Sequence, residues 1–214
     1  MKRLIKLFAE FIGRLFAMLL PEFPVKAFMA FVSHVYTGFL SMKFAYWGGG
    51  GIIAYKAITI KGLNHIYIGE NVELDKGIVL TAWDYYMGEK TFPEIRIGDN
   101  CHIGAMSHIT SCNSIIIGKN LLTGTNVLIT DNSHGSSKME SLMLHPQKRK
   151  LVSKGGVVIG DNVWLGNNVC IMPGVTIGDG VIVGANSVVT KDLPSFSVAV
   201  GAPAKVIKQI KKDI

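Results

Sequence analysis

The stretch IGDNVWLGNNVCIMPGVTIGDGVIVGANSVVTKDLP, residues 159 to 194, decides the fold. Read in sixes it places Ile159, Leu165, Ile171, Ile177, Val183 and Val189 at one position, and Val163, Val169, Val175, Val181 and Ser187 four residues later. A short fixed period settles the architecture before any local propensity does. Strand side chains alternate in direction, so each hexad reads as a two- to three-residue strand followed by a turn that Gly or Asn takes. Three hexads close one coil of a triangular solenoid that rises by about 4.8 Å, the spacing between paired strands. Stacked coils then bury each aliphatic column.

The period extends upstream through Ile68, Leu74 and Leu80, with Val72 and Ile78 in the second slot. It breaks over 83–94, resumes at Ile97, Ile103 and Ile109, slips by two residues, and continues through Ile117, Thr123 and Ile129. Before it, Ile58 and Ile60 alternate after the tetraglycine Gly48 to Gly51. From His134 to about Val157 the repeat vanishes into a polar segment that holds Lys148, Arg149 and Lys150. Long excursions from a regular scaffold are usually functional loops.

With 214 residues, 49% of them hydrophobic, the chain suits one core with a small appendage. A formal charge of +7 points to anionic partners, namely a phosphorylated cofactor or a membrane surface. No RNA-binding signature of interleaved basic and aromatic residues and no helix-turn-helix pattern occurs, so nucleic acid is not an expected partner. Cys101, Cys112 and Cys170 form an odd set without CxxC spacing, which indicates a reducing compartment and no disulfide framework.

Residues 1–20 set Leu4, Phe8, Phe11, Leu15 and Met18 at helical spacing, with Lys6, Glu10 and Arg14 opposite, and Pro21 and Pro24 follow. From Ala27 to Met42 no charged residue occurs, but the run falls short of a membrane span. No cleavage site of a signal peptide follows. Two readings of this region compete: helices packed on the main domain or a partner subunit, or a helix lying in the cytoplasmic membrane interface with Lys2, Arg3, Lys6 and Arg14 near anionic lipid.

The hexads from 159 to 194, the Trp164-Leu165-Gly166 triplet and the closing Gly-Ala-Pro-Ala-Lys-Val-Ile-Lys segment resemble the hexapeptide-repeat acyltransferases, among them galactoside, maltose and polysaccharide O-acetyltransferases. The resemblance covers about residues 50–210. It implies an all-β fold, a left-handed parallel β-helix, and the left hand comes from the family alone because parallel crossovers are otherwise right-handed. The expected organisation is an N-terminal helical segment over 1–47, the β-helix over 48–194 with loop excursions at 83–94 and 135–157, and a C-terminal strand and short basic helix over 195–214.

The resemblance also implies acetyl-coenzyme A as donor, direct transfer to an acceptor hydroxyl without an acyl-enzyme, and a homotrimer with sites between subunits. Its catalytic base stands at the foot of the excursion, upstream of the Trp-aliphatic-Gly triplet, which in this sequence is His134. A neutral imidazole can take the proton of a hydroxyl or amine as it attacks a thioester. Cofactor contacts carry over to Trp164, Asn167, Ala185, Thr190, Lys191, Lys205 and Lys208, with Gly201 and Pro203 in the same closing segment. None of the three cysteines neighbours a histidine in a loop, so a thiol nucleophile is not favoured. Asp131 is a candidate to orient the base or touch the acceptor, and Ser111, Asn113, Asp84 and Tyr85 are candidate acceptor contacts, as are the other residues of Trp83 to Tyr86.

Relatives that acetylate simple sugars carry an acidic residue in the coil before the base. Here that neighbourhood reads His108, Ile109, Thr110, Ser111, Cys112, Asn113, which favours a polysaccharide or its lipid-linked precursor over a free sugar. Alternatives are an amino-sugar N-acetyltransferase, a non-catalytic trimeric scaffold, and a zinc enzyme resembling the γ-type carbonic anhydrases. The last is disfavoured because His102 and His108, six residues apart, fall on adjacent faces of the triangle. No metal is expected. A cytoplasmic enzyme, peripheral at the inner face of the membrane, is the expected location.

Overall fold

The computed structural model describes residues 2–19, 22–55 and 59–210. The readings of Pro21, Ile58 and the last four residues lie outside this range. Three parallel sheets form the faces of a left-handed β-helix. The first face runs through Tyr46–Trp47, Ile66–Ile68, Glu94–Ile97, Ser114–Ile117, Val157–Ile159 and Thr176–Ile177. The second runs through Ile52–Ile53, Glu73–Leu74, His102–Ile103, Leu122–Thr123, Trp164–Leu165, Ile182–Val183 and Ser197–Gly201. The third runs through Thr59–Lys61, Val79–Ala82, His108–Ser111, Leu128–Thr130, Cys170–Ile171 and Val188–Val189.

The hexad slots become columns. Ile68, Ile97, Ile117, Ile159 and Ile177 are in register on the first face, and Leu80, Ile109, Ile129, Ile171 and Val189 on the third. All ten are buried. Each contributes about 1.5–3 kcal/mol of transfer free energy. On the second face Thr123 interrupts the aliphatic column, and its hydroxyl accepts from the Gly104 amide at 2.8 Å and donates to the Gly124 carbonyl at 3.0 Å. The buried hydroxyl is therefore satisfied rather than a defect.

Asparagine makes the corners. Asn126, Asn168 and Asn186 have φ of 57°, 59° and 60°, the left-handed region that Asn tolerates better than other side chains. Their amides stack, Asn126 Nδ2 donating to Asn168 Oδ1 at 2.9 Å and Asn168 Nδ2 to Asn186 Oδ1 at 3.0 Å. Close approach of coils also dictates glycine at 124, where a Cβ would stand 2.2 Å from Asn167 Oδ1. Asn168→Ala removes two ladder bonds while keeping the positive φ, so we expect a loss of about 1–2 kcal/mol, read as a lower chemical-denaturation midpoint. Asn168→Gly, free of the φ penalty, loses less.

From the second coil onward every insertion falls at one corner, between the third and first faces, whereas the first coil holds one extra residue between Ile53 and Ile60, after its second face. Equivalent residues of successive coils are 29, 20, 42 and 18 apart, and 18 is the coil without an insertion. The first three values come from the 83–94 segment, the two-residue slip and the long excursion. This third corner carries the structure that the repeat does not need.

Helix α1 spans Lys2–Leu19 and α2 spans Glu22–Ser41, with Pro24 in the first turn of α2. α2 covers the lower edge of the first coil. The Ile53 amide donates to Thr37 Oγ1 at 2.8 Å and the Tyr55 amide to Ser33 Oγ at 3.1 Å, so side-chain oxygens satisfy a sheet edge that would otherwise be open.

The C-terminus corrects an expectation. Ala204–Gln209 is a strand, not a helix, and pairs antiparallel with Ser197–Gly201 across the Ala202–Pro203 turn. The β-branched Val206 and Ile207 suit a strand, and the hairpin closes the upper edge of the second face.

Candidate active site

The third corner builds a pocket from its insertions. Over 83–94 the chain forms a hairpin, Tyr85–Tyr86 against Glu89–Lys90, whose turn residues Met87 and Gly88 have φ of 48° and 86°. Positive φ at both positions is what a tight hairpin turn requires. The longer excursion leaves as Asn132–His134 and returns as the antiparallel Leu151–Ser153, with His134 opposite Leu151. Between them lies the short helix α3, Met139–Leu142. Arg149 ties this loop by donating to the carbonyls of Leu144 at 3.1 Å and Leu142 at 3.2 Å. An ion pair of Lys150 with Glu89 links the two insertions.

Between them opens a cleft of about 430 Å³, lined by Trp83, Tyr86, His108, Thr130, His134 and Met172 among others. The Tyr86 hydroxyl lies 3.4 Å from His134 Nδ1, and the two rings meet edge to face at 5.5 Å. Trp83 in turn meets Tyr86 edge to face at 5.6 Å. With Nδ1 engaged, Nε2 is the ring nitrogen left to a molecule in the cleft. His108, on the same cleft, has its pKa lowered by desolvation, which favours the uncharged ring.

Asp131 organises the floor. Its side chain is 0% exposed, and its carboxylate accepts from Ser111 Oγ at 2.5 Å, the Cys112 amide at 2.9 Å, the Asn113 amide at 3.0 Å and Asn132 Nδ2 at 3.0 Å. The two extra residues of the slip, Cys112 and Asn113, are thus folded around this carboxylate. Ser111, a candidate acceptor contact, and Asp131, a candidate to orient the base or touch the acceptor, are both wholly buried, and their side chains are engaged within this frame. Asn113 is exposed, but its amide donates to Ser153 Oγ at 3.2 Å and braces the excursion.

Two further acceptor candidates lie on the 83–94 hairpin, outside the lining of the cleft. Asp84 pairs with His65 Nε2 at 3.4 Å, and Tyr85 is 61% exposed. Neighbouring side chains on the hairpin strand point to opposite sides, so Tyr86 rather than Tyr85 turns toward His134. The sequence contained Tyr86 but not the turn geometry that selects it.

The cofactor candidates divide between two parts of the triangle. Trp164 is exposed on the second face between Leu122 and Ile182. Asn167 and Ala185 occupy the corner after that face, where Asn167 Oδ1 accepts from the Thr125 amide at 2.9 Å. Lys205 and Lys208 lie on the terminal hairpin beside the same face, opposite Val200 and Val198. Thr190 and Lys191 follow the third face, at the corner that also bears His134. None of these residues lines the His134 cleft within one chain.

The cysteines give no nucleophile at this site. Burial pushes the thiols of Cys101 and Cys112 up to about 11, the direction that suppresses thiolate. Cys170 is half-buried on the third face between Leu128 and Val188. His102 is on the second face, 3.2 Å from Asp75 and 3.6 Å from Glu73.

This arrangement can be set beside known proteins. Residues 156–191 match the family model of the bacterial transferase hexapeptide (six repeats), and residues 94–131 that of the hexapeptide repeat of succinyl-transferase. WbbJ of Escherichia coli, named for O-acetyl transfer in lipopolysaccharide biosynthesis, is 41% identical over 158 residues, which cover 72% of this chain and 76% of WbbJ. The galactoside O-acetyltransferase of Escherichia coli is 40% identical over 118 residues, 53% of this chain and 56% of that one. Among solved structures, the N-acyltransferase AntD of Bacillus cereus, in complex with dTDP and 3-hydroxybutyryl-CoA, superposes with a TM-score of 0.66 at 23% identity, over 83% of this chain and 89% of AntD. The chain belongs to the hexapeptide-repeat acyltransferase family and is an acyltransferase.

Proposed function

We propose that the protein transfers an acetyl group from acetyl-coenzyme A to a hydroxyl of a polysaccharide or its precursor, with His134 as general base. The observation that carries this reading is the placement of His134 in the cleft wall with Nδ1 held by the Tyr86 hydroxyl. The acceptor oxygen gives its proton to Nε2 as it attacks the thioester carbonyl. The tetrahedral intermediate then expels the coenzyme A thiolate, the C–S bond breaks, and the imidazolium returns the proton to sulfur. An acetyl ester and a free thiol result, with no acyl-enzyme and no metal. Trp83 and Tyr86 give the cleft aromatic walls suited to a sugar ring.

The donor is held by Trp164, Asn167, Ala185, Thr190, Lys191, Lys205 and Lys208, the lysines answering its phosphates. Trp164, Asn167, Ala185, Lys205 and Lys208 lie on or beside the second face while His134 stands at the third corner, which is why the reading includes a homotrimer whose sites lie between copies. The use of acetyl-coenzyme A and three free cysteines fit a cytoplasmic enzyme.

The reading is tested by incubating the protein with acetyl-coenzyme A and a panel of nucleotide sugars and polysaccharide fragments, following thiol release and the mass of the acceptor. An acetylated product that hydroxylamine cleaves is the expected result; an amide product assigns N-acetylation instead. Tyr86→Phe removes one hydrogen bond to the base, worth about 1 kcal/mol. We expect a fall in kcat of about tenfold or less, with KM for acetyl-coenzyme A unchanged.

A further inference from the structure

α2 has two faces with different tasks. Ser33, Thr37 and Leu40 are buried against the first coil. At 3.6 residues per turn Phe28, Phe31, Val35 and Phe39 fall on the opposite side, each more than half exposed, and Met42, just past the end of the helix, is exposed too. α1 repeats the pattern, with Ile5, Phe8, Phe11, Leu15 and Phe16 exposed on one side and Lys6, Glu10 and Arg14 on the other. An apolar surface of this extent marks an interaction site.

We infer that these faces rest in the interface of an anionic bilayer, and that the acceptor is a lipid-anchored glycan presented from that surface. Over residues 1–47 the chain holds Lys2, Arg3, Lys6, Arg14, Lys26 and Lys43 against Glu10 and Glu22. This basic excess attracts anionic headgroups. It repels a second copy of the same segment, which carries the same sign. Among the described residues no helix is long and apolar enough to cross a membrane, so the contact lies in the plane.

The geometry also sets where on the glycan the acetyl group goes. α2 lies under the first coil, and His134 leaves from the end of the fourth. Three coil steps and the thickness of α2 put His134 roughly 25 Å from the outer side of that helix. Between the two levels the third corner carries Trp83, with Lys61 Nζ 3.9 Å over its ring, and the His65–Asp84 pair. A glycan lying along this corner, lipid end toward α2, would present a sugar set back from its lipid. The acceptor half of the inference rests on the carbohydrate reading above; the bilayer half does not.

The test uses the full chain and vesicles of phosphatidylethanolamine with phosphatidylglycerol, against phosphatidylcholine alone. Cosedimentation with the anionic vesicles is expected, and Phe31→Glu with Phe39→Glu should weaken it by about tenfold or more. The same variant should keep its oligomeric state and its rate on a delipidated glycan, but lose the preference for the lipid-linked form. Equal vesicle binding by the variant, or no binding by the natural chain, overturns the inference. A variant that dissociates into monomers overturns it too, because the face is then a subunit contact. If vesicles bind but no carbohydrate is acetylated, the proposed function fails and the membrane contact stands; if soluble glycans are acetylated without vesicle binding, the reverse holds.

Discussion

Replacing His134 by alanine lowers the rate of acetyl transfer by about 10²- to 10⁴-fold, the usual worth of a positioned general base, while affinity for coenzyme A stays near that of the natural enzyme. The separation of the two effects follows from the fold. His134 stands at the third corner on the excursion, whereas Trp164, Asn167, Ala185, Lys205 and Lys208 lie on and beside the second face. The imidazole is exposed, and among the described residues its one side-chain hydrogen-bond partner is the Tyr86 hydroxyl, so its loss costs the fold little. Single-turnover transfer and coenzyme A titration measure the two quantities separately. A variant with full activity removes His134 from the mechanism.

Asp131→Ala is expected to destabilise the protein by about 3–5 kcal/mol, the largest stability effect outside the aliphatic columns. Its carboxylate takes donors from Ser111, Cys112, Asn113 and Asn132 in a site closed to solvent. Truncation leaves the Ser111 hydroxyl and the Cys112 amide without their acceptor, at about 1–3 kcal/mol for each that water cannot reach, while the Asn113 amide and Asn132 Nδ2 keep second acceptors at 3.2 Å, Ser111 Oγ and the Thr110 carbonyl. Asp131→Asn keeps the shape and one acceptor oxygen, so it falls between. The loss is read as a shift of the urea midpoint, and less than about 1 kcal/mol for the alanine variant would show that the corner has another support. Burial first, and then the Asp131 charge, raise the Cys112 thiol. In Asp131→Asn that thiol titrates lower than before and still above an ordinary cysteine.

The hexads made the architecture legible because a solenoid is a one-dimensional object, and each aliphatic residue meets its equivalent one coil away. The slip between Ile109 and Ile117 was also legible, but its cause was not. Nothing local in Cys112-Asn113 indicates that Asp131, one coil later, draws both amides inward. That contact makes Ser111, a candidate acceptor contact, and Asp131, a candidate to orient the base or touch the acceptor, part of the frame beneath the cleft. Tyr85 and Tyr86 are indistinguishable by composition, and the Met87–Gly88 turn decides between them. At the C-terminus the basic residues of AKVIKQ suggested a helix, while the upper edge of the second face needed a strand, a demand that comes from tertiary structure. The proposed base and the proposed donor residues are each readable along the chain, and in the proposed trimer their meeting is a matter of quaternary structure.

We propose that His134 of one copy and the Trp164 face of another form one acyl-transfer site. Mixing His134→Ala with Trp164→Glu chains, unfolding and refolding them together, and measuring acetyl transfer tests it most directly. Each parent alone is expected to be nearly inactive. Random reassortment in equal amounts should restore roughly a quarter of the natural activity, since one pairing in four at a cyclic interface unites an intact histidine with an intact tryptophan. No recovery above the parents, in trimers shown to be mixed, would contradict the claim.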